Sequence, residues 1–411
     1  MTRGEQKPKP WCYVIGDNDT AISTAWCLRD AGIPVRIFCL DPRGIARCSR
    51  RARVTDLTGL GKDRTRISEE IARIARTEPL KPVLMACGDH ESIMITGHRD
   101  LLSPVCSLRA LTLEQLLSVV SKDRLYAAAS VVGIETPPTT ISPTLAQLSV
   151  WTRDHPPPYL VKPYYLGEKS SVLQTKNRLF ETAGALNAFV EETGGASLII
   201  QQLIRGGDGW VFDCYGVCDR RGRIVTMASH RRLRQHPADR GVSTFGEIPS
   251  LSVPESERAV FALTEKLLSR VYYHGIFGIE WVKDLTTSRY YLLDFNARPF
   301  LTIRHLKDCG VNLPAISYEE LAGGDVSSVA RTPRLKHKYW LDFPADVLSF
   351  RAHRARKQIS VHTWLASLAK PTSFAVFSLR DPLPTIVRGA ETVASFGRSA
   401  MRKITRRFSP K

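Results

Sequence analysis

The sequence predicts an α/β protein that turns α+β in its catalytic part. Three observations predict it. Residues 11–41 read strand, helix, strand; four later apolar stretches read as strands of a largely antiparallel sheet; and 43% of the 411 residues are hydrophobic, enough for sizeable cores. At roughly 100–200 residues per domain, the length makes two to four compact units. Disorder, collagen and coiled coil are excluded as global descriptions. No apolar run nears the roughly 20 residues that a spanning helix needs, and the first residues show charge and prolines without a cleavage pattern, so a cytosolic location is expected.

Along the chain, residues 11–16 form a buried strand, a helical stretch runs through Leu28 to Gly32, and 35–40 form the next strand, the start of a parallel sheet. Gly16 lacks a full G-x-G-x-x-G pattern, and a lone glycine there is more often a tight turn than a dinucleotide cradle. Residues 82–89 add a strand with polar residues at its carboxyl end, where open α/β sheets place ligands. Residues 111–132 follow a helical period until Gly133, Pro137 and Pro138 break it as a hinge. Strands at 158–163 and 197–203 flank a Gly/Lys/Ser loop at 167–171 and a helix near 182–193. Residues 210–217, 223–229, 276–283 and 289–295 supply the antiparallel sheet, with a helix at 255–271.

Nine scattered cysteines without a Cys-x-x-Cys pair fit reduced, mostly buried thiols. Charge is unevenly placed. Residues 331–411 hold 17 Lys and Arg against 4 Asp and Glu, a surplus of +13, whereas the first 330 residues are only +5. An argument for an anionic partner therefore applies to the last fifth alone.

Two constellations carry chemistry. Lys162 sits on an apolar strand ahead of the 167–171 loop, an arrangement suited to phosphate, although taken alone such a lysine is more often a solvated edge. The stronger set is Glu280 on one apolar strand with Asp294, Asn296 and Arg298 on the next. Alternation puts the last three on one face. Two carboxylates and an amide make an oxygen site for Mg²⁺, which prefers few protein ligands plus phosphates, and Arg298 offers a planar fork to phosphate or carboxylate. A solvent-facing polar strand is the competing reading, disfavoured by the apolar neighbours Leu292, Leu293, Phe295 and Phe300.

Taken in order, Lys122 with the Gly133–Pro137 stretch, Lys162, the 200–208 segment, Gly278-Ile279-Glu280 and the 293–298 segment resemble the ATP-grasp superfamily. Within it they resemble carboxylate–amine ligases, in particular a branch found beside exopolysaccharide biosynthesis genes; residues 231–237 with Gly241 and Thr244, and residues 381–384, resemble signatures of that branch. The resemblance implies an ATP-grasp fold in four parts: a Rossmann-like domain over 1–115, a small subdomain with a phosphate flap over 116–205, a large subdomain with the metal site over 206–330, and a basic extension over 331–411. It implies ATP and Mg²⁺, or Mn²⁺, as cofactors. Lys122 and Lys162 would hold the α- and β-phosphates, with Gly167, Ser170 and Ser171 in the flap. Gln201 stands where a glutamate usually faces the adenine, Leu203 and Ile204 would give hinge backbone contacts, and Asp208 would bind the ribose. Glu280, Asp294 and Asn296 would hold the metal, with Asp294 one methylene shorter than the usual glutamate. Arg298 and Arg232 would meet the transferring phosphoryl group. The implied reaction joins a small carboxylate to an amine through an acyl phosphate; the alternative is a catalytically silent ATP-binding adaptor.

From Thr385 onward, apolar residues recur at three and four positions among arginines, drawing a basic amphipathic helix. Three readings stay open: a helix docked on the body, a helix on anionic lipid at the inner face of a membrane, or a nucleic-acid arm, the last disfavoured by the near absence of aromatics for base stacking.

Overall fold

In a computed structural model of the chain, the structure describes residues 8–164, 173, 177–194, 197–392 and 394. The chain opens with four parallel strands, β1 (Cys12–Ile15), β2 (Val35–Cys39), β3 (Arg53–Asp56) and β4 (Val83–Ala86), in the order β3-β2-β1-β4. β1, β2 and β4 are buried throughout, because helices cover both faces of a parallel sheet. Helix Asp19–Asp30 starts where the Asn18 side chain accepts the Ala21 N–H. Ahead of it, Asp17 accepts the N–H groups of Leu40 and Asp41 at 2.7 and 2.6 Å. A carboxylate of the chain thus fills the end of β2, in keeping with a tight turn at Gly16.

The second sheet contains β5 (Thr139–Ile141), β6 (Tyr159–Pro163), β7 (Arg178–Phe180) and β8 (Leu198–Gln202), ordered β5-β8-β6-β7 and antiparallel. Helices Leu145–Asp154 and Ala183–Glu192 close its core around Leu148, Tyr159 and Leu186.

The third sheet has seven strands: β9 (Val211–Cys218), β10 (Ile224–His236), β11 (Val242–Ile248), β12 (Gly275–Lys283), β13 (Tyr290–Asn296), β14 (Lys338–Leu341) and β15 (Pro371–Phe374). Their order is β13-β12-β9-β10-β11-β14-β15. Helix Pro254–Arg270 packs on one face with Phe212, Phe277 and Trp281; the other face meets the N-terminal domain, where Tyr215 and Phe300 join the core of helix Asp19–Asp30.

Several elements differ from the sequence-based expectations. β10 runs seven residues past 229, because Arg231, Arg232 and Arg234 are not solvent-facing but paired with Glu247, Asp213 and Asp346. β11, β14 and β15 were not anticipated, and the last two come from the basic segment after residue 331, which is therefore built into the large sheet. The helical stretch 111–132 is two helices, Leu113–Val120 and Lys122–Val131, because Ser121 is extended; both pack on β13. Among the described residues, no helix is long and apolar enough to cross a membrane.

Candidate active site

Strand register places the acids. Asp294 of β13 pairs with Glu280 of β12, Glu280 with Asp213 of β9, and Asp213 with His230 of β10. Directly opposed residues share a face, so these four side chains form one row across four strands. Asn296 and Arg232 lie two residues along their strands and join the same face. Asn296 Nδ2 donates to Glu280 Oε1 at 3.0 Å, and Arg232 Nη2 stands 3.0 Å from Glu280 Oε2.

The lysines reach this row from two other elements. Lys122 opens its helix against β13, donates to the Leu293 carbonyl at 2.6 Å and pairs with Asp294 at 2.5 Å. Lys162 on β6 donates to Gln201 Oε1 of β8 at 2.9 Å. Gln201 Nε2 donates to the hydroxyls of Tyr126 and Thr139, each at 3.0 Å, and Tyr126 donates to the Leu293 carbonyl at 3.0 Å. One polar chain therefore joins the small sheet to the hairpin β12–β13. Asp294 keeps 42% of its side chain exposed, so the cluster opens to solvent at its acidic end.

The electrostatics follow from that layout. Burial raises the Asp294 carboxyl, but the Lys122 and Lys162 charges outweigh it and hold the pKa below the usual range. Among the described residues, no carboxylate is bonded to Lys162; burial, then Lys122, bring its pKa down to about 8. For Lys122, burial is outweighed by Asp294, and the pKa is raised.

Asp213 was not foreseen as a member of the site, although it carries the same signature as Glu280, a lone acid in an apolar strand. Asp213 Oδ2 accepts from Arg232 Nε at 2.8 Å and faces His230 Nδ1 at 3.0 Å, while its Oδ1 takes Arg232 Nη2. Despite burial, Arg232 and His230 hold the Asp213 pKa far below the carboxylate range. Tyr126 and Thr139 also escaped notice, for hydroxyls in ordinary sequence carry no signal.

Other expected site residues are engaged elsewhere. Arg298 makes a two-pronged pair with Asp89 after β4, at 2.8 and 3.0 Å, across the junction with the N-terminal domain. Asp208 accepts from Gln235 N and Nε2, from Asp239 N, and faces His353 Nε2 at 2.7 Å, so its bonds run to β10 and the C-terminal segment. Leu203 gives its N–H to the Pro158 carbonyl at 2.9 Å, so a hinge contact there falls to its own carbonyl or to the neighbouring Ile204. Gln201 is buried with its amide bonded on both sides, facing Lys162. Gly167, Ser170 and Ser171 lie outside the described residues. All nine cysteines are free, eight of them buried, and burial pushes thiols such as Cys214 up to about 12. His305 is buried against the Lys338 carbonyl at 3.0 Å, outside the row.

Among the described residues, no three His, Cys, Asp or Glu side chains gather at metal-binding distance. The oxygens of Glu280, Asp294 and Asn296 are thus too few for a closed protein site and fit a Mg²⁺ ion that takes its remaining ligands from phosphates and water.

No protein-family model and no curated protein matches the chain. Solved structures do. An N5-carboxyaminoimidazole synthetase from Staphylococcus aureus complexed with ADP superposes with a TM-score of 0.63 at 11% identity, covering 85% of this chain and 88% of that one. An L-amino acid ligase from Bacillus licheniformis gives 0.58 at 14%, covering 79% and 78%. The biotin carboxylase domain of the Hydrogenobacter thermophilus 2-oxoglutarate carboxylase, in complex with MgADP, ADP and bicarbonate, gives 0.60 at 15%, covering 80% and 73%. The likeness concerns the fold, which is the ATP-grasp fold.

Proposed function

We propose that this chain is an ATP- and Mg²⁺-dependent ligase that activates a small carboxylate as an acyl phosphate and couples it to an amine. The observation that supports it most is the convergence of Lys122, Lys162, Glu280, Asp294 and Asn296 from four elements onto one cleft between the small and large sheets. The S. aureus and H. thermophilus neighbours carry ADP in the same fold, which favours a nucleotide in that cleft.

A carboxylate is a poor acyl donor because its leaving group would be oxide. Attack of a carboxylate oxygen on the γ-phosphorus of ATP forms the acyl phosphate and releases ADP. The amine then attacks the acyl carbon; phosphate departs and the nitrogen loses a proton. No covalent nucleophile of the protein is needed, so its work is positioning and charge neutralisation. Lys122 and Lys162 neutralise phosphate oxygens, and Lys122 must leave Asp294 to do so. Glu280, Asp294 and Asn296 would hold Mg²⁺, which supplies charge neutralisation along the phosphates. Arg232, held by Asp213, and Arg298, held by Asp89, would offer guanidinium groups to the phosphoryl group and the acid.

The acid and amine remain a matter for screening. Placement in the exopolysaccharide branch rests on residues 231–237 with Gly241 and Thr244 and on 381–384, and Asp381 has a structural task of its own, described below. The test is a coupled ADP-release screen against amino acids, amino sugars and uronic acids. Asp294→Asn and Lys162→Met should each abolish amine-dependent ADP release; survival of that activity in both would refute the site. A silent ATP-binding adaptor would bind MgADP with all five groups intact yet release no ADP with any pair of substrates. The Lys122–Asp294 pair at 2.5 Å is the observation on its side, since each group already satisfies the other.

A further inference from the structure

The C-terminal segment carries an apolar groove that the proposed ligase chemistry does not use. Phe343, Pro344, Phe374 and Phe377 wall it, Thr385, Arg388 and Gly389 close one side, and its volume is about 270 Å³. Ser378 donates its N–H to the Thr385 hydroxyl at 3.2 Å, which brings the 377–379 turn beside the helix at 382–392. Four large apolar side chains stand out from this corner: Phe343 is 50% exposed, Phe377 44%, Ile386 61% and Leu379 85%. Exposed apolar residues scattered singly are ordinary, but a cluster at one edge marks an interaction surface.

The charge around the groove identifies its partner. The segment 331–411 contains 4 acids, and three of them, Asp342, Asp346 and Asp381, are buried. They are spent inside the molecule, on Arg388, on Arg234 and Trp364, and on Trp26 and Ser49. Among the segment's described residues nine cations are exposed, against one acid, Glu391. Arg380 is exposed next to Leu379, Lys370 is exposed just before the strand that carries Phe374, and Arg304 donates to the Phe377 carbonyl. A folded protein partner would call for charges of both signs at set places. A surplus of exposed cations beside protruding aliphatic and aromatic side chains instead fits an extended anionic surface with an apolar interior.

We propose that this corner is a docking surface for an anionic phospholipid bilayer, with Phe343, Phe377, Leu379 and Ile386 entering below the headgroups and the cations meeting lipid phosphates. The proposal is independent of the ligase reading, because it concerns no residue of the cleft.

Sedimentation of the full-length protein with vesicles tests it. Vesicles of phosphatidylcholine mixed with phosphatidylglycerol should pellet the protein at least about tenfold better than phosphatidylcholine alone, since each lysine or arginine near an anionic surface contributes roughly a fivefold factor. High salt should remove the difference. The triple variant Phe377→Ser, Leu379→Ser, Ile386→Ser should lower binding by about tenfold through lost apolar insertion, with an unchanged melting temperature. Three results would overturn the proposal: no pelleting with the anionic vesicles, pelleting indifferent to the triple variant, or a lipid-free dimer by light scattering that the triple variant splits, which would make the groove a contact between copies of the chain.

Discussion

Lys162 is the residue whose ionisation bears most directly on the cleft. Its pKa of about 8 comes from burial first and from Lys122 second, while Asp294 and Glu280 pull the other way. Phosphates need the ammonium form. Below about pH 8 Lys162 is charged and nucleotide binding should be at full strength; as pH rises through that value the charge is lost and affinity should fall with it. Calorimetric titration with MgADP should show this decline. Gln201→Glu would place a carboxylate on the ammonium, raise its pKa and move the decline to higher pH. A wild-type affinity flat across that range would mean that Lys162 does not meet phosphate. Asp213 supports a second prediction. It is the counter-ion of a buried guanidinium and the partner of His230, so Asp213→Ala leaves both without it and should lower stability by about 3–5 kcal/mol in urea unfolding. A loss near zero would show that water reaches the pair. These residues differ in legibility. Glu280, Asp294 and Asn296 announce themselves as polar interruptions of apolar strands, whereas the Arg298–Asp89 pair joins positions 209 apart in sequence and has no local sign.

Strand register, more than any loop, builds the candidate site. Asp294, Glu280, Asp213 and His230 stand abreast because β13, β12, β9 and β10 pair in that register, and a slip by one residue would turn each of them to the opposite face. The four strands were legible because their apolar residues form runs around single polar positions. The end of β10 was not, since three arginines in four residues break the apolar run that marks a strand until their carboxylate partners are known. β14 and β15 escaped for a different reason: at four residues each they owe their pairing to the sheet edge they extend. Gly246 of β11 fixes how closely this sheet packs beneath the site. A Cβ there would sit 2.1 Å from His230 Nε2 and 2.7 Å from the Arg231 carbonyl. Gly246→Ala must therefore displace the imidazole or part β10 from β11. We expect a cost of about 1–3 kcal/mol by thermal or urea unfolding, with weakened ADP release because Arg232 loses its support. An unperturbed protein would mean that His230 moves aside freely.

The whole molecule is held together by its C-terminal segment. Having added two strands to the large sheet, the chain returns to the N-terminal domain. There Asp381 accepts from Trp26 Nε1 at 2.9 Å, from Ser49 Oγ at 2.6 Å and from the Arg50 N–H at 3.0 Å. Two helical turns later Arg388 grips Asp342 with two bonds, at 3.0 and 2.8 Å, and Asp19 at 2.7 Å. The helix at 382–392 is thus docked on the body, as one of the three sequence-based readings had it, and Val387 packs against the N-terminal core. The basic residues of this segment looked alike in the sequence, and nothing local marked Arg388 as the inward one. Arg388→Met tests the docking. It leaves Asp342, 5% exposed, with no cation, and should destabilise the protein by about 3–5 kcal/mol. Adding Asp342→Asn removes the stranded charge and should recover a large part of that loss, because a neutral amide is far less costly to bury than an unpaired carboxylate. A single variant that unfolds at the wild-type urea concentration would show that the helix is not seated. A double variant no better than the single would show that Asp19, rather than Asp342, is the partner that matters.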